Sequence, residues 1–437
     1  MSASDRAILV ADGDPRLELA RRGVAPQPTV GAFPLPVREP TALRALHVEV
    51  ALAGADVLTA VTGSLHRRTL SRMGAARRGR EWIAAAVDLA REAAAEAEDA
   101  GRPARDGVPA PPVRVAGLVG PLEGSGASGL SLDLVAAAAE HRAHAGMLAD
   151  AGAQLLRIEA MESIAESEAA TREALATGLE TWTGVAVEGS GLALPSGESL
   201  EAWAAVIGPL GPDVLLVTAP TLEATCAALG ALEALGLLGA GGPAALGGSL
   251  PTVPADGPAV PDAARLLEAG CLVLGAGRDG SPERVALLRA EADRHNARLL
   301  QGRHELLERR RAWVAQVADR ARPGPALWVA PAAPEFPLPG SFAWDVVGAP
   351  DLGRLPAGRY RIAVAPTGAA GSASEPASPL SVEQLRRLVT TLEPGAWILV
   401  EGDQAADVLA SDERAGGLLI AEPLPSGPPC WMVRVRP

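Results

Sequence analysis

Residues Ala151–Ala170 read AGAQLLRIEAMESIAESEAA, and this stretch decides how the first two-thirds of the chain is read. A short apolar run, Gln154–Ile158, has the length of a buried strand, and a helical pattern, Ser163–Thr177, follows it at once. Parallel strands covered by helices on both faces are short, continuous and apolar. The same unit recurs along the chain. The other candidate strands are Ala7–Ala11, Asp56–Ala60, Val113–Val119, Gly184–Val187, Val214–Thr218, Ala244–Gly247 and Leu272–Gly275. Helical patterns lie between them, among them Thr41–Ala53, Glu81–Ala100 and Leu134–Ala151. Eight such units over about 290 residues predict an α/β chain folded as a (β/α)8 TIM barrel. An open doubly wound sheet would use fewer strands per domain and ranks second.

A long, charged helical stretch follows, from Pro282 to Arg322, and Pro323–Pro325 (PGP) breaks it. The rest reads as a small α/β unit with strands at Ala326–Ala330, Ala343–Val347, Tyr360–Ala365, Trp397–Glu401, Gly417–Ala421 and Trp431–Val435. A helix is expected at Val382–Leu392, with Ser381 as its N-cap. The expected domains are residues 1–300 (barrel), 301–325 (helical linker) and 326–437 (small α/β accessory domain).

Composition removes several chemistries. The chain of 437 residues contains no lysine, so it has no Schiff-base or Walker lysine. A formal net charge of -13 argues against a general nucleic-acid binder, and the run Arg309–Arg311 fits a solvated helix face. Cys226, Cys271 and Cys430 lie too far apart for a disulfide framework or a CxxC metal clip. Asp5, Arg6 and Asp12 interrupt any N-terminal signal, and Pro243 breaks the most apolar stretch, Leu229–Leu246. A cytoplasmic protein with no membrane partner is expected.

Several ordered segments resemble homocysteine S-methyltransferases over roughly residues 5–295. ILVADGDPRLELARRG resembles the opening strand and turn of that family, ILDGAMGTEL. EPTALRALHVEVALAGADVLTAVTGS resembles the second unit, VAGLVGPLEG the third strand with its GP turn, and GLALPSGESLEAW the loop after the fifth strand. The opening stretch, Ala151–Ala170, is similar to AGVDLLLFETIPSLAEAEAA, the fourth unit. GAGRDGSPERV, Gly275–Val285, resembles the closing signature GGCCGTTPEHI.

The resemblance implies a site at the C-terminal ends of the strands. Asp12 and Glu159 match the carboxylates that hold the amino group of homocysteine, and the backbone at Gly13 matches the receiver of its carboxylate. A pair of inward carboxylates suits an ammonium group; the plainer reading is a turn cap and a leftover polar residue. The three zinc-binding cysteines are replaced. Val217, within Leu215–Thr218, stands for the ligand of the GVNC segment, and Gly277 and Arg278 stand for the adjacent pair. Zinc needs three protein ligands beside an open position, so a zinc-free site is expected. Arg278 could pair with Glu159 or Asp279, hold an anionic ligand, or lie on the surface. His66, His141 and His144 are not at strand ends. The i, i+3 spacing of His141 and His144 fits an exposed helix face better than a relocated metal site. Ala60-Val61-Thr62 and Ala245–Gly248 replace two further polar segments of the family's mouth.

In the C-terminal part, LEPGAWILVEGD resembles the LKPGGRLLLV turn and strand of class I S-adenosylmethionine-dependent methyltransferases. The matching cofactor loop, Trp328–Phe336, has no glycine, which argues against that cofactor and for an accessory, truncated Rossmann-like domain. The function expected from these readings is a divergent, zinc-free homocysteine S-methyltransferase-like protein. It would bind an amino-acid-like small molecule, or serve as a non-catalytic subunit with a protein partner or a second copy. The alternative is a repurposed, metal-independent methyltransferase acting on an amino-acid-like or thiol substrate.

Overall fold

Eight parallel strands close into a barrel in sequence order. They are β1 (Leu9–Gly13), β2 (Val57–Ala60), β3 (Arg114–Val119), β4 (Leu155–Met161), β5 (Glu180–Ala186), β6 (Val214–Thr218), β7 (Ala245–Ser249) and β8 (Cys271–Gly277). β8 closes on β1 through register pairs running from Leu9↔Val273 to Gly13↔Gly277. The computed structural model describes residues 8–24, 34–104, 110–122, 133–236, 245–249, 260–320, 323–329, 338–340, 342–347, 355, 359–365, 388, 392–401, 418–423 and 430–435. The barrel is the one the sequence predicts. β5 starts at Glu180, four residues earlier than its apolar run. Thr181 and Thr183 break the pattern there, yet both are buried, with Thr183 Oγ1 3.1 Å from Thr171 Oγ1.

Strand alternation sorts the side chains into two cores. Ala11, Val57, Ala116, Leu155, Trp182, Val214, Leu216, Ala245 and Val273 fill the barrel interior. Their neighbours, such as Val10, Leu58, Ile158, Val185, Leu215, Val217 and Leu274, face outward and pack in the larger shell. Trp182 is the bulkiest interior residue and is fully buried; its Nε1 donates to Glu180 Oε1 at 2.7 Å.

The helices are α1 (Pro15–Arg21), α2 (Leu35–Arg38), α3 (Pro40–Leu52), α4 (Arg67–Arg72), α5 (Gly79–Asp99), α6 (Leu134–Asp150), α7 (Ile164–Leu175), α8 (Leu200–Ile207), α9 (Leu222–Ala234), α10 (Val260–Glu268) and α11 (Pro282–Arg320). Many start where the strand-to-helix turn supplies a cap. Asp133, Ser163, Ser199 and Thr221 each accept an amide N–H from the first turn of α6, α7, α8 and α9.

The chain divides into two compact units within α11, near residue 298. In the first unit, Val285, Leu288 and Ala292 of α11 join the shell core. In the second, Trp313 and Val314 of the same helix pack with Ala326, Trp328 and Val364. That unit holds a six-stranded sheet of β9 (Gly324–Val329), β10 (Phe342–Val347), β11 (Tyr360–Ala365), β12 (Leu392–Glu401), β13 (Leu418–Pro423) and β14 (Cys430–Val435). Its order is β10-β9-β11-β12-β14-β13; the first four strands run parallel and β14 runs antiparallel to both neighbours. The helix expected at Val382–Leu392 lies, apart from Leu388, outside the described residues.

Trp182→Ala removes the largest side chain of the interior, which neighbours of fixed rotamer cannot refill. The expected cost is about 3–5 kcal/mol, read as a lowered urea midpoint of the full chain.

Candidate functional site at the barrel mouth

Asp12 ends the apolar part of β1 and is buried. β1 and β2 share a single register pair, Ala11↔Val57, so the Thr59 amide lies beyond their ladder. The Asp12 carboxylate takes it: Oδ2 accepts the Thr59 N–H at 2.7 Å, and Oδ1 accepts the Thr59 hydroxyl at 2.5 Å. Burial raises the Asp12 pKa to about 6, against the lowering effects of Arg157 and the Thr59 hydrogen bonds; Glu159 pushes it up further. His47 of α3 stands 3.9 Å from the carboxylate, but burial lowers it to about 4, so it is neutral and supplies no charge.

The cation at this site comes from β4. Arg157 shares the inward face of β4 with Leu155 and is buried. Its Nη1 donates to Thr59 Oγ1 at 2.9 Å and lies 3.5 Å from Asp12 Oδ1. Its Nη2 forms a close ion pair with Glu159 Oε1. The Thr59 hydroxyl thus donates to Asp12 and accepts from Arg157, using both of its capacities. The two carboxylates expected to receive an ammonium are joined instead by the chain's own guanidinium.

Glu159 is the outer member of this group, with 29% of its side chain accessible. Ala160 follows it at φ 57°, the one non-glycine residue with positive φ among the described residues. The β4–β5 register slips between Ile158 and Met161 at the same point. Such a backbone conformation costs about 1–3 kcal/mol for a residue with a Cβ, and strain of this kind gathers at functional sites. Gly184 of β5 makes the bulge possible, since a Cβ there would come within 2.6 Å of the Ile158 carbonyl.

On the other side of the mouth, β1 and β8 press together. The Asp14 N–H donates to the Gly277 carbonyl at 2.7 Å, and the Gly280 N–H donates to the Asp14 carbonyl at 3.2 Å. A Cβ on Gly13 would lie 2.6 Å from that Gly277 carbonyl. The backbone just beyond Asp12, expected to receive a ligand carboxylate, is therefore bonded to the turn after β8.

The profile of the homocysteine S-methyltransferase family matches residues 9–237, just over half of the chain. The chain belongs to the homocysteine S-methyltransferase family. Two solved structures of the homocysteine methyltransferase MmuM from Escherichia coli share its fold. The metallated form is 25% identical with a TM-score of 0.54, covering 65% of this chain and 96% of that one. The oxidized form is 26% identical with a TM-score of 0.54, covering 65% and 95%. No curated protein matches the chain.

Within this family member, the positions expected to replace zinc ligands are placed as follows. Val217 is fully buried and faces outward into the shell, because Val214 and Leu216 hold the inward register of β6. The residue of β6 that shares the inward parity is Thr218, so Val217 does not front the mouth. Gly277 sits at φ 70° with its carbonyl bonded to Asp14. Arg278 is exposed. Its two expected partners are taken by other arginines: Glu159 by Arg157, and Asp279 by Arg21 at 2.8 Å. Among the described residues no group of three His, Cys, Asp or Glu side chains could hold a metal. The Cys271 thiol is buried at the start of β8, where it accepts the Gly248 N–H and burial pushes its pKa up to about 12. These residues do not fit a zinc ion, which requires thiolate, imidazole or carboxylate ligands converging on one point.

His141 and His144 are buried rather than exposed, because α6 turns them inward beside His66. Thr59, Thr218 and Ser249 keep polar groups at the strand ends. The residue that sequence reasoning missed is Arg157. Its signal was a lone cation within the apolar run LLRIE, where a parallel strand should carry none without a counter-charge.

Arg157→Leu leaves Asp12 and Glu159 facing each other without a cation. The expected loss is about 3–5 kcal/mol at neutral pH, measured by urea unfolding. The Asp12 pKa, already above its ordinary value, should rise beyond about 6. A raised folded-state pKa means that ionising Asp12 costs stability as pH rises. The deficit of the variant should therefore shrink as pH falls towards 4.

Proposed function

We propose that this chain is a divergent, zinc-free homocysteine S-methyltransferase-like barrel that acts as a non-catalytic subunit. The observation that carries this reading is Arg157, which occupies the ammonium position between Asp12 and Glu159. An incoming amino group would have to break a buried ion pair, at a cost of about 3–5 kcal/mol. An amino acid binding with millimolar affinity gains only about 4 kcal/mol. The two nearly cancel, so homocysteine gains no useful hold. Among the described residues no metal ligands converge to lower the pKa of a substrate thiol, and the Arg157 cation at the strand ends is already held by Asp12 and Glu159.

Its role is then exercised through association, with a protein partner or a second copy, in the cytoplasm. Leu134, Val135 and Leu192, exposed beyond the C-terminal ends of β3 and β5, support this. The second unit is read as an accessory, Rossmann-like domain. The support is its parallel core, whose strand order reverses between β9 and β11 as in doubly wound sheets. A second reading, a metal-independent methyltransferase, draws on the accessible edge of Glu159 beside the strained Ala160.

Isothermal titration with L-homocysteine, run alongside a methyl-transfer assay and metal analysis, tests the proposal. The wild-type chain should show no binding heat, no turnover and substoichiometric zinc, while Arg157→Leu should gain weak amino-acid binding. Turnover by the purified wild-type chain free of metal would establish the second reading, and turnover with bound zinc or binding tighter than millimolar would refute the proposal.

A further inference from the structure

A second buried polar group stands behind the mouth. His66 closes the turn after β2, and His141 and His144 sit one turn apart on α6; all three are buried. Two carboxylates face them. His66 Nδ1 lies 3.6 Å from Glu140 Oε1, and His141 Nε2 lies 3.4 Å from Glu166 Oε1. His66 also meets the Thr69 hydroxyl at 3.2 Å and the backbone of Pro121. Arg68, on α4, gives its N–H to Glu140 at 2.6 Å and places its guanidinium 3.5 Å from the same carboxylate.

These groups fasten the chain segments that leave β2 and β3. Glu166, in the first turn of α7, accepts the Leu122 N–H at 2.6 Å. His144 Nε2 donates to the Leu118 carbonyl at 3.2 Å. The same peptide is held by Thr62, whose Oγ1 donates to the Leu118 carbonyl at 2.8 Å and accepts the Leu118 N–H at 2.9 Å.

A carbonyl can only accept, so the His144 proton sits on Nε2. Nδ1 is then the bare nitrogen, buried and without a hydrogen-bond partner among the described residues. Glu140 and Glu166 lie 3.6 and 3.4 Å from His66 and His141; Glu140 also acts on His144, but burial and the neighbouring His66 and His141 outweigh it. A proton on the His144 Nδ1 would be a buried charge without a hydrogen-bond acceptor among the described residues.

We propose that this cluster is an acid-sensitive latch on the chain segments that follow β2 and β3. In the closed state His66 and His144 titrate at about 4, each lowered first by burial, against an ordinary value of 6.5. Between these values an opened segment binds protons that the closed state refuses. Opening is therefore favoured as pH falls from about 6.5 towards about 4, and the latch is fully closed above that window. Each histidine raises the open population by about tenfold per pH unit within it.

Hydrogen exchange of the full chain across this range, corrected for the intrinsic pH dependence, tests the latch. Peptides spanning residues 61–69 and 115–122 should gain excess exchange below about pH 6.5, while peptides from β6 and β8 should not. In His144→Gln the amide can still donate to Leu118 but does not titrate, so its excess should rise less steeply by one histidine's share. Three results would overturn the proposal: no excess in the wild type, an equal excess in β6 and β8, or an unchanged slope in His144→Gln. Should that variant fail to fold, the location of the wild-type excess decides alone.

Discussion

A guanidinium inside a barrel of apolar strands must be neutralised where it stands. Stripping a charge of water costs several kcal/mol, and only close counter-charges and hydrogen bonds offset it. Arg157 meets this constraint with Glu159 on its own strand and with Asp12 and Thr59 across the mouth. The rest of the mouth depends on that arrangement. Asp12 is buried deeply enough to sit at about 6, and the nearby cation and the two Thr59 hydrogen bonds hold it from rising further. Removing the Thr59 hydroxyl would take one hydrogen bond from Asp12 and one from Arg157. β1, β2 and β4 are thereby tied together at a point where β1 and β2 have run out of ladder.

The other departures in the site agree with a mouth satisfied by its own chain. The Gly277 carbonyl is bonded to the Asp14 N–H, and Gly13 and Gly280 pack too closely for any side chain. Thr218 takes the inward parity at the end of β6, where it offers a hydroxyl rather than a thiolate. Together these departures fill the mouth with contacts from the chain itself and leave one edge of Glu159 in contact with solvent. The strained Ala160 follows it at the bulge of β4.

Much of this was legible in the sequence. Eight short apolar runs separated by helical patterns favoured a barrel over an open sheet, and the helical pattern from Ser163 placed the start of α7 to within a residue. Asp12 and Glu159 could be located because they lie at strand ends and match the family's motif positions. Other features were hidden by the way a linear pattern is read. The start of β5 was missed because Thr181 and Thr183 are polar, though they hydrogen-bond within the shell. Val217 was placed at the mouth by motif position, whereas the two-residue period of β6 turns it outward. Arg157 was passed over because it stood in for a leucine in an otherwise faithful segment. His141 and His144 looked solvated because α6 is rich in alanine on every side, so its weak apolar face did not show which way it turned.

The central claim is that Arg157 holds the ammonium position of the family's amino-acid site. The most direct measurement is a crystal structure of the full chain grown at neutral pH with excess L-homocysteine and zinc. The Arg157 guanidinium should lie between Asp12 and Glu159, with neither amino acid nor metal at the strand ends. An arginine swung aside, with a homocysteine ammonium seated on those two carboxylates, would contradict it.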